Sequence, residues 1–398
     1  MSLNTTPSSE RIHIGIFGRR NAGKSSLINA LTGQDTAIVS DRAGTTTDPV
    51  TKAMELLPLG PVVIIDTPGI DDEGDLGVLR IKRAYEALNR CHIALLVVDA
   101  SVGMNAEDEE LLSHVKAKEL PYLLVYNKAD LFSADKENAF PDGSFAVSAK
   151  SGAGIQKLKE AIASLPLSKE SHRRLTADLV RPLDLVVLVV PIDSAAPKGR
   201  LILPQQQVIR DILEAGAVSI VVRESELADT LEKLGSDPNL VITDSQVFEM
   251  VAKIVPDRVP LTSFSILFSR YKGNLEEQVL GAYMIDRLKD GDTVLISEGC
   301  THHRQCDDIG TVKLPRWLTG YTGKNLNFTW TSGGTFPEDL SPYRLIIHCG
   351  GCMLNEKEMK SRIRMAKEQD IPITNYGTAI AHMKGILSRS IKVFNRTF

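Results

Sequence analysis

The chain has 398 residues, with 46 Lys plus Arg against 50 Asp plus Glu and a formal net charge of -4. This length exceeds one ordinary hydrophobic core and predicts two or three domains, while the slight acidity and the lack of a long basic block argue against nucleic acid as a partner. The start, "MSLNTTPSSE", does not have the pattern of a signal peptide, and the longest apolar run, "LDLVVLVVPI", is too short to span a bilayer. We therefore expect a cytoplasmic protein with no membrane partner.

The first motif is a phosphate-binding loop. The apolar stretch "IHIGIFG" predicts a strand, and the pattern G-x-x-x-x-G-K-S follows it from Gly18 to Ser25. In such a loop the backbone N–H groups surround the phosphates, the lysine reaches the outer two, and the serine hydroxyl binds Mg²⁺. The N-terminus of the following helix adds partial positive charge. The residues predicted to contact nucleotide here are Gly18, Asn21, Gly23, Lys24, Ser25 and Ser26.

A second apolar strand, "VVIIDTPGI", predicts the catalytic end of the same site. The strand ends at Asp66, which is placed to hold Mg²⁺ through water, and the N–H of Gly69 is placed to reach the terminal phosphate.

Two further strands predict a base-binding site. "YLLVYNKADLF" ends in Asn127, Lys128 and Asp130. A carboxylate in that place can accept hydrogen bonds from the N1–H and the exocyclic amine of guanine, which adenine cannot supply. The loop in "VSAKSGAGI" then brings Ser148, Ala149 and Lys150 over the base, so the expected ligand is GTP or GDP.

These ordered motifs resemble the translation-factor-related P-loop GTPases, in particular those of tRNA modification and ribosome assembly. The resemblance covers about the first 165 residues. It implies that "RAGTTTDP" is the first switch, in which Thr46 completes the magnesium shell, with Thr45 and Thr47 as the alternatives.

The residue after "DTPG" is Ile70, where Ras-like enzymes have a glutamine that orients the attacking water. The resemblance implies that a potassium ion supplies charge to the transition state instead, and that Asn21 helps to bind it. A structural role for Asn21, as a turn residue that tolerates unusual backbone angles, is the alternative. We expect slow hydrolysis that is stimulated by K⁺.

The middle of the chain predicts a second, small α/β unit. After a polar linker, apolar strands alternate with amphipathic helices from "LDLVVLVVPI" to "QVFEMVAKIV", which is typical of a short parallel sheet. No catalytic motif stands out in it.

Five cysteines and no export signal argue against a disulfide framework, and four of the five lie in the last quarter of the chain. Cys300, His302, His303 and Cys306 follow one predicted strand, whereas His348, Cys349 and Cys352 follow another, in "IIHCGGCM". Loops at the carboxyl ends of parallel strands meet at one edge of a sheet, so these side chains predict a metal site. Zinc and an iron-sulfur cluster both remain open on this pattern.

The pattern Cys-x-His followed later by His-Cys-x-x-Cys, joined to such a GTPase domain, resembles the HydF family of iron-only hydrogenase maturation GTPases. The resemblance implies a 4Fe-4S cluster on Cys300, Cys349 and Cys352, with His302 or His348 as the fourth ligand. It also implies a scaffold that carries a di-iron precursor, two radical-SAM partner enzymes and the apo-hydrogenase as recipient.

The fold class expected from the sequence is therefore α/β with three domains. A P-loop GTPase domain covers residues 1–170, a small parallel α/β domain covers 171–265, and an iron-sulfur domain covers 266–398. The resemblance implies that the middle domain makes a homodimer. Two alternative functions are an RNA-linked GTPase with a zinc module and a redox-sensing GTPase switch.

Overall fold

The computed structural model describes residues 6–33, 50–70, 74–131, 140–166, 174–192, 201–299 and 308–396. The chain forms two compact units, Met1–Ser171 and His172–Phe398. None of the helices in these ranges is long and apolar enough to cross a membrane.

The first unit contains a six-stranded sheet in the order β2-β3-β1-β4-β5-β6. All neighbours are parallel except β2, which runs antiparallel to β3. The inner strands are apolar nearly throughout because helices cover both faces of the sheet. The strands are β1 (Ile12–Phe17), β2 (Val50–Leu56), β3 (Gly60–Asp66), β4 (Ile93–Asp99), β5 (Tyr122–Asn127) and β6 (Phe145–Ala146).

Four helices enclose this sheet in two core layers. Side chains of α1 and α4 share one buried cluster with the sheet, and side chains of α2 and α3 share the other. The helices are α1 (Lys24–Thr32), α2 (Gly74–Leu88), α3 (Ala106–Ala117) and α4 (Ile155–Ser164).

The second unit contains two four-stranded parallel sheets. The first has the order β10-β9-β7-β8 and the second has the order β12-β11-β13-β14. The first sheet consists of β7 (Leu185–Val189), β8 (Val218–Val222), β9 (Leu240–Thr243) and β10 (Leu261–Ser263). The second consists of β11 (Thr293–Glu298), β12 (Asn327–Ser332), β13 (Leu345–His348) and β14 (Ile373–Asn375).

The helices of this unit alternate with its strands, as expected for parallel sheets. They are α5 (Leu203–Glu214), α6 (Leu227–Leu234), α7 (Phe248–Ile254), α8 (Phe264–Lys272), α9 (Leu275–Tyr283), α10 (Leu314–Thr322), α11 (Glu356–Glu368), α12 (Tyr376–Met383) and α13 (Leu387–Ile391). Short 3-10 segments occur at Ser8–Glu10, Ala129–Leu131, Glu224–Glu226, Met284–Arg287 and Lys392–Arg396, and a π-helical turn occurs at Ile309–Lys313.

Helix α8 joins the two sheets of the second unit. Its residues Phe264, Ile266, Leu267 and Phe268 are buried in the core of the first sheet, while the helix also packs on α9, α11 and α12 beside the second. The domain boundary predicted between residues 265 and 266 falls inside this helix. The three sheets, each packed with helices, confirm the predicted α/β fold class.

Candidate functional site

The phosphate-binding loop lies between β1 and α1, as the motif predicts. Gly18 has φ +142°, and a Cβ there would lie 2.2 Å from the carbonyl oxygen of Val97 in β4. Only glycine allows the loop to pass so close to the neighbouring strand. The helix begins at Lys24, so its first N–H groups face the loop.

The ammonium group of Lys24 is held by the loop itself. Its Nζ donates hydrogen bonds to the carbonyl oxygens of Gly18 and Arg19, both at 2.8 Å, and the residue is only 8% exposed. A buried ammonium placed at this loop is suited to pair with phosphate oxygens.

Ser25 and Asp66 lie together, as expected of magnesium-binding residues. The hydroxyl of Ser25 donates to Oδ2 of Asp66 at 2.7 Å. Burial raises the pKa of the Asp66 carboxyl, whereas the hydrogen bond from Ser25 and the charge of Lys24 act in the opposite direction. Two oxygen donors at this spacing fit Mg²⁺, which prefers oxygen ligands. The predicted third contributor, Thr46, and its alternatives at 45 and 47 lie outside the described residues.

The side chain of Ile70, in the segment after β3, is buried and cannot orient a water molecule. It is 5% exposed and packs in the core with Phe17 and Ile65. Thr67 connects this segment to β1, since its hydroxyl donates to the carbonyl oxygen of Ile16 at 2.7 Å. The role predicted for Gly69, two residues further on, stays a prediction.

The base-binding segments are linked to the phosphate loop through Asn127. Its Nδ2 donates to the carbonyl oxygen of Ala22 at 3.0 Å, and its Oδ1 accepts the N–H of Ala149 at 3.1 Å. This side chain therefore connects three loops that the sequence separates widely.

Asp130, the residue predicted to recognise the base, is held by Ser148. The hydroxyl of Ser148 donates to its Oδ1 at 2.6 Å, and that hydrogen bond lowers the pKa of the Asp130 carboxyl. Lys128 donates to Oδ2 of Asp99 at 2.6 Å. Asp99 was not predicted from the sequence, although it ends the apolar strand β4 as Asp66 ends β3. The charge of Lys150 also lowers the pKa of the Asp130 carboxyl.

A second candidate site lies at the carboxyl end of β13 in the other unit. The Sγ of Cys349 accepts the N–H groups of Gly299 at 3.0 Å and Gly351 at 3.4 Å. Gly351 has φ +62°, and a Cβ there would lie 2.7 Å from Sδ of Met359, so the turn requires glycine. Backbone N–H groups aimed at a sulfur atom are typical of metal-bound thiolates.

The two thiols of this site are close enough to affect each other. Burial, with the charge of Cys352, raises the pKa of Cys349 to about 11, against the opposing effect of the N–H groups of Gly299 and Gly351. Burial also raises the pKa of Cys352, against the charge of Lys272. Thiols of this kind hold their protons at neutral pH, so a bound metal would displace those protons.

The ring of His348, a predicted cluster ligand, is hydrogen-bonded within the protein. The ring is fully buried, Nδ1 donates to the carbonyl oxygen of Cys349 at 2.8 Å, and Nε2 accepts from Arg362 at 2.9 Å. Arg362 must donate, which fixes this tautomer. Both ring nitrogens are thus engaged in hydrogen bonds within the protein, and the ligand role of His348 stays a prediction.

The remaining predicted ligands, Cys300 and His302, lie outside the described residues, as do His303 and Cys306. Gly299, which precedes Cys300 directly, is the residue whose N–H meets Cys349. Within the part of the chain that the structure covers, no group of three His, Cys, Asp or Glu side chains is arranged to hold a metal ion.

Three protein-family models match successive parts of the chain. The family model described as a 50S ribosome-binding GTPase matches residues 13–128. The hydrogen maturase F dimerization domain matches residues 175–273, and the hydrogen maturase F tetramerization domain matches residues 276–393.

The similar curated proteins share only the GTPase part. The tRNA modification GTPase MnmE of Dichelobacter nodosus is 41% identical over 167 residues, which are 40% of this chain and 36% of that protein. MnmE of Laribacter hongkongensis is 38% identical over 156 residues, 38% of this chain and 34% of that protein. The chain thus matches about a third of the length of these relatives. The structure of Aquifex aeolicus Era bound to GDP.AlF4- covers 53% of this chain and 92% of its own at 22% identity, with a TM-score of 0.33, and this weak likeness supports no conclusion.

The two hydrogen maturase models together match more than half of the chain, and a GTPase domain precedes them. The chain carries the GTP-binding and hydrolysing domain together with both oligomerization domains. It therefore belongs to the HydF family of hydrogenase maturation GTPases.

Proposed function

We propose that this protein is a scaffold that binds a 4Fe-4S cluster and delivers a di-iron precursor to apo iron-only hydrogenase in the cytoplasm. Two radical-SAM enzymes are the expected partners that build the precursor. The observation that carries the proposal is the geometry of Cys349, whose sulfur accepts two backbone N–H groups next to Cys352.

The residues that would hold the cluster are Cys349, Cys352 and Cys300. The donor set fits, because thiolates that receive N–H hydrogen bonds are the usual ligands of iron-sulfur clusters. With three protein thiolates, one iron would keep a position that a cargo, His302 or His348 can take. The domain division at 170 and 265 is part of the same proposal.

The GTPase domain would give the scaffold two shapes. Nucleotide-dependent loops in P-loop GTPases change between ordered and disordered states, and such a change can alter the affinity for a partner. In this account the bound nucleotide, GTP or GDP, controls which partner the scaffold binds, while the cysteine site holds the cargo.

The content of iron, zinc and acid-labile sulfide in protein purified without oxygen tests the cluster. We expect about four irons and four sulfides per chain, lost in Cys349→Ala. Cys91→Ala is the matched control, because Cys91 is buried in the core of the first unit. One zinc and no sulfide would reject the cluster and favour an RNA-linked GTPase with a zinc module.

Potassium should stimulate hydrolysis through Asn21. This residue has φ +59°, a conformation that glycine adopts without strain, so Asn21→Gly removes the side-chain oxygen with little change to the loop. We expect wild type to be at least about tenfold faster in K⁺ than in Na⁺, since a positive charge near the transferred phosphoryl group stabilises the transition state. The variant should show nearly equal rates in the two salts. Equal rates in wild type would remove Asn21 from this role.

The edge strand β8 is the proposed homodimer interface. Among the described strands β7 is its sheet neighbour, and Val218 and Val221 are each 44% exposed. An exposed apolar edge is a template for pairing with another chain. We expect Val221→Lys to halve the mass of the assembly in sedimentation, whereas Val102→Lys, at an exposed valine of the first unit, should not change it. An unchanged mass in Val221→Lys would place the interface elsewhere.

A further inference from the structure

A buried lysine lies beside the cysteine site and was not anticipated from the sequence. Lys272, the last residue of α8, is 1% exposed. Its Nζ donates to the carbonyl oxygens of Cys352 at 3.2 Å and Leu354 at 3.0 Å. A buried ammonium is costly unless other groups offset its charge, so its position calls for an explanation.

The ammonium group of Lys272 also contacts an aromatic ring of its own helix. Its Nζ lies 5.5 Å from the centroid of the Phe268 ring, one turn earlier in α8, and Phe268 is buried in the core of the first sheet. The ring therefore supports the charge through a cation–π contact. Because α8 is fixed by that core, Lys272 presents its charge from a rigid helix.

The two carbonyl groups that Lys272 binds belong to a turn in contact with both cysteine segments. Leu354 packs directly on Gly299, since a Cβ on that glycine would lie 2.7 Å from Cγ of Leu354. Cys352 begins the turn, and Gly299 donates to Cys349. A single ammonium thus connects α8 with the segments that carry Cys352 and precede Cys300.

We propose that Lys272 is a positioning residue of this site, which fixes the turn at 352–354 and places its ammonium group beside the ligand thiolates. This inference rests on the proposed metal-binding function. Thiolate ligands bring negative charge into a buried place, and a nearby fixed cation offsets it. A cluster gains further negative charge on reduction, so the same cation favours the reduced state.

Three variants separate charge from shape. Lys272→Gln keeps a hydrogen-bond donor and removes the charge, while Lys272→Arg keeps both. Lys253→Met is the control, since Lys253 is an exposed lysine of α7. The first readout is the affinity of the metal-free protein for Co²⁺, monitored by the absorption of the cobalt–thiolate complex. The second is the reduction potential of the reconstituted cluster.

We expect Lys272→Gln to bind Co²⁺ about tenfold more weakly, in line with the effect of residues that support metal ligands. Its cluster should have a more negative potential than wild type, and Lys272→Arg should restore both values. Wild-type behaviour of the Gln variant, or equal losses in the Gln and Arg variants, would overturn the role of the charge. If the Gln variant does not fold, Lys272→Arg decides: affinity close to wild type supports the inference, and a tenfold loss rejects it.

The outcome is distinguishable from failure of the proposed function. If wild type takes up Co²⁺ but no iron and sulfide, the cluster proposal fails and the effect of Lys272 on Co²⁺ can still be measured. If wild type holds the cluster and the Lys272 variants do not differ from it, only the inference about Lys272 fails.

Discussion

Replacing Asp130 with asparagine is expected to weaken GTP binding by at least about 100-fold and to transfer the preference to xanthosine triphosphate. The carboxylate is placed by the hydroxyl of Ser148, at 2.6 Å from Oδ1. Each hydrogen bond between guanine and this charged group contributes roughly 1.5–3 kcal/mol, and guanine offers two donors. An asparagine can accept the xanthine N1–H and donate to the carbonyl group that replaces the exocyclic amine.

Titration of wild type and Asp130→Asn with both nucleotides measures this change. Glu160→Gln, which alters an exposed carboxylate on α4, is the control and should bind GTP like wild type. GTP binding by Asp130→Asn within a few-fold of wild type would show that the base is recognised elsewhere.

Hydrolysis is expected to fall by about 10²–10³-fold in Lys24→Met, the range found when one preorganised donor to a transition state is removed. The ammonium group of Lys24 is held at the mouth of the loop by the carbonyl groups of Gly18 and Arg19. Methionine has a similar length and no charge, so the loop should keep its shape while the contact with the outer phosphates is lost.

Single-turnover hydrolysis at saturating GTP separates this loss from weaker binding. Lys157→Met, at an exposed lysine on α4, controls for the loss of a lysine from the same unit. A Lys24→Met rate close to wild type would contradict the assignment of the phosphate loop.

The fold was predictable where apolar runs are long and bounded by turn residues. Strands such as β7 and β13 are almost wholly buried, and their continuous Val, Ile and Leu content indicates a parallel sheet. The division of the second half was less predictable. Helix α8 is buried against both sheets, and no change of composition marks where one core ends and the next begins.

The nucleotide-binding motifs were recognisable because the residues within each motif are close in sequence and each has a fixed chemical task. The cysteine site was only partly predictable from the sequence. The spacing of Cys349 and Cys352 indicated a pair of thiols, but spacing does not say that the preceding His348 is buried and hydrogen-bonded to Arg362. The contact of Lys272 with the same turn arises from tertiary packing across 80 residues of chain, and no local pattern reports it.

Activation of apo iron-only hydrogenase tests the central claim most directly. The protein is produced together with the two radical-SAM enzymes, purified without oxygen and mixed with apo-hydrogenase, and hydrogen evolution is measured. The account predicts activity with wild type and none with Cys349→Ala, while Cys349→Ala still hydrolyses GTP at the wild-type rate. Equal activation by Cys349→Ala, or no activation by wild type that carries its cluster, would contradict the scaffold function.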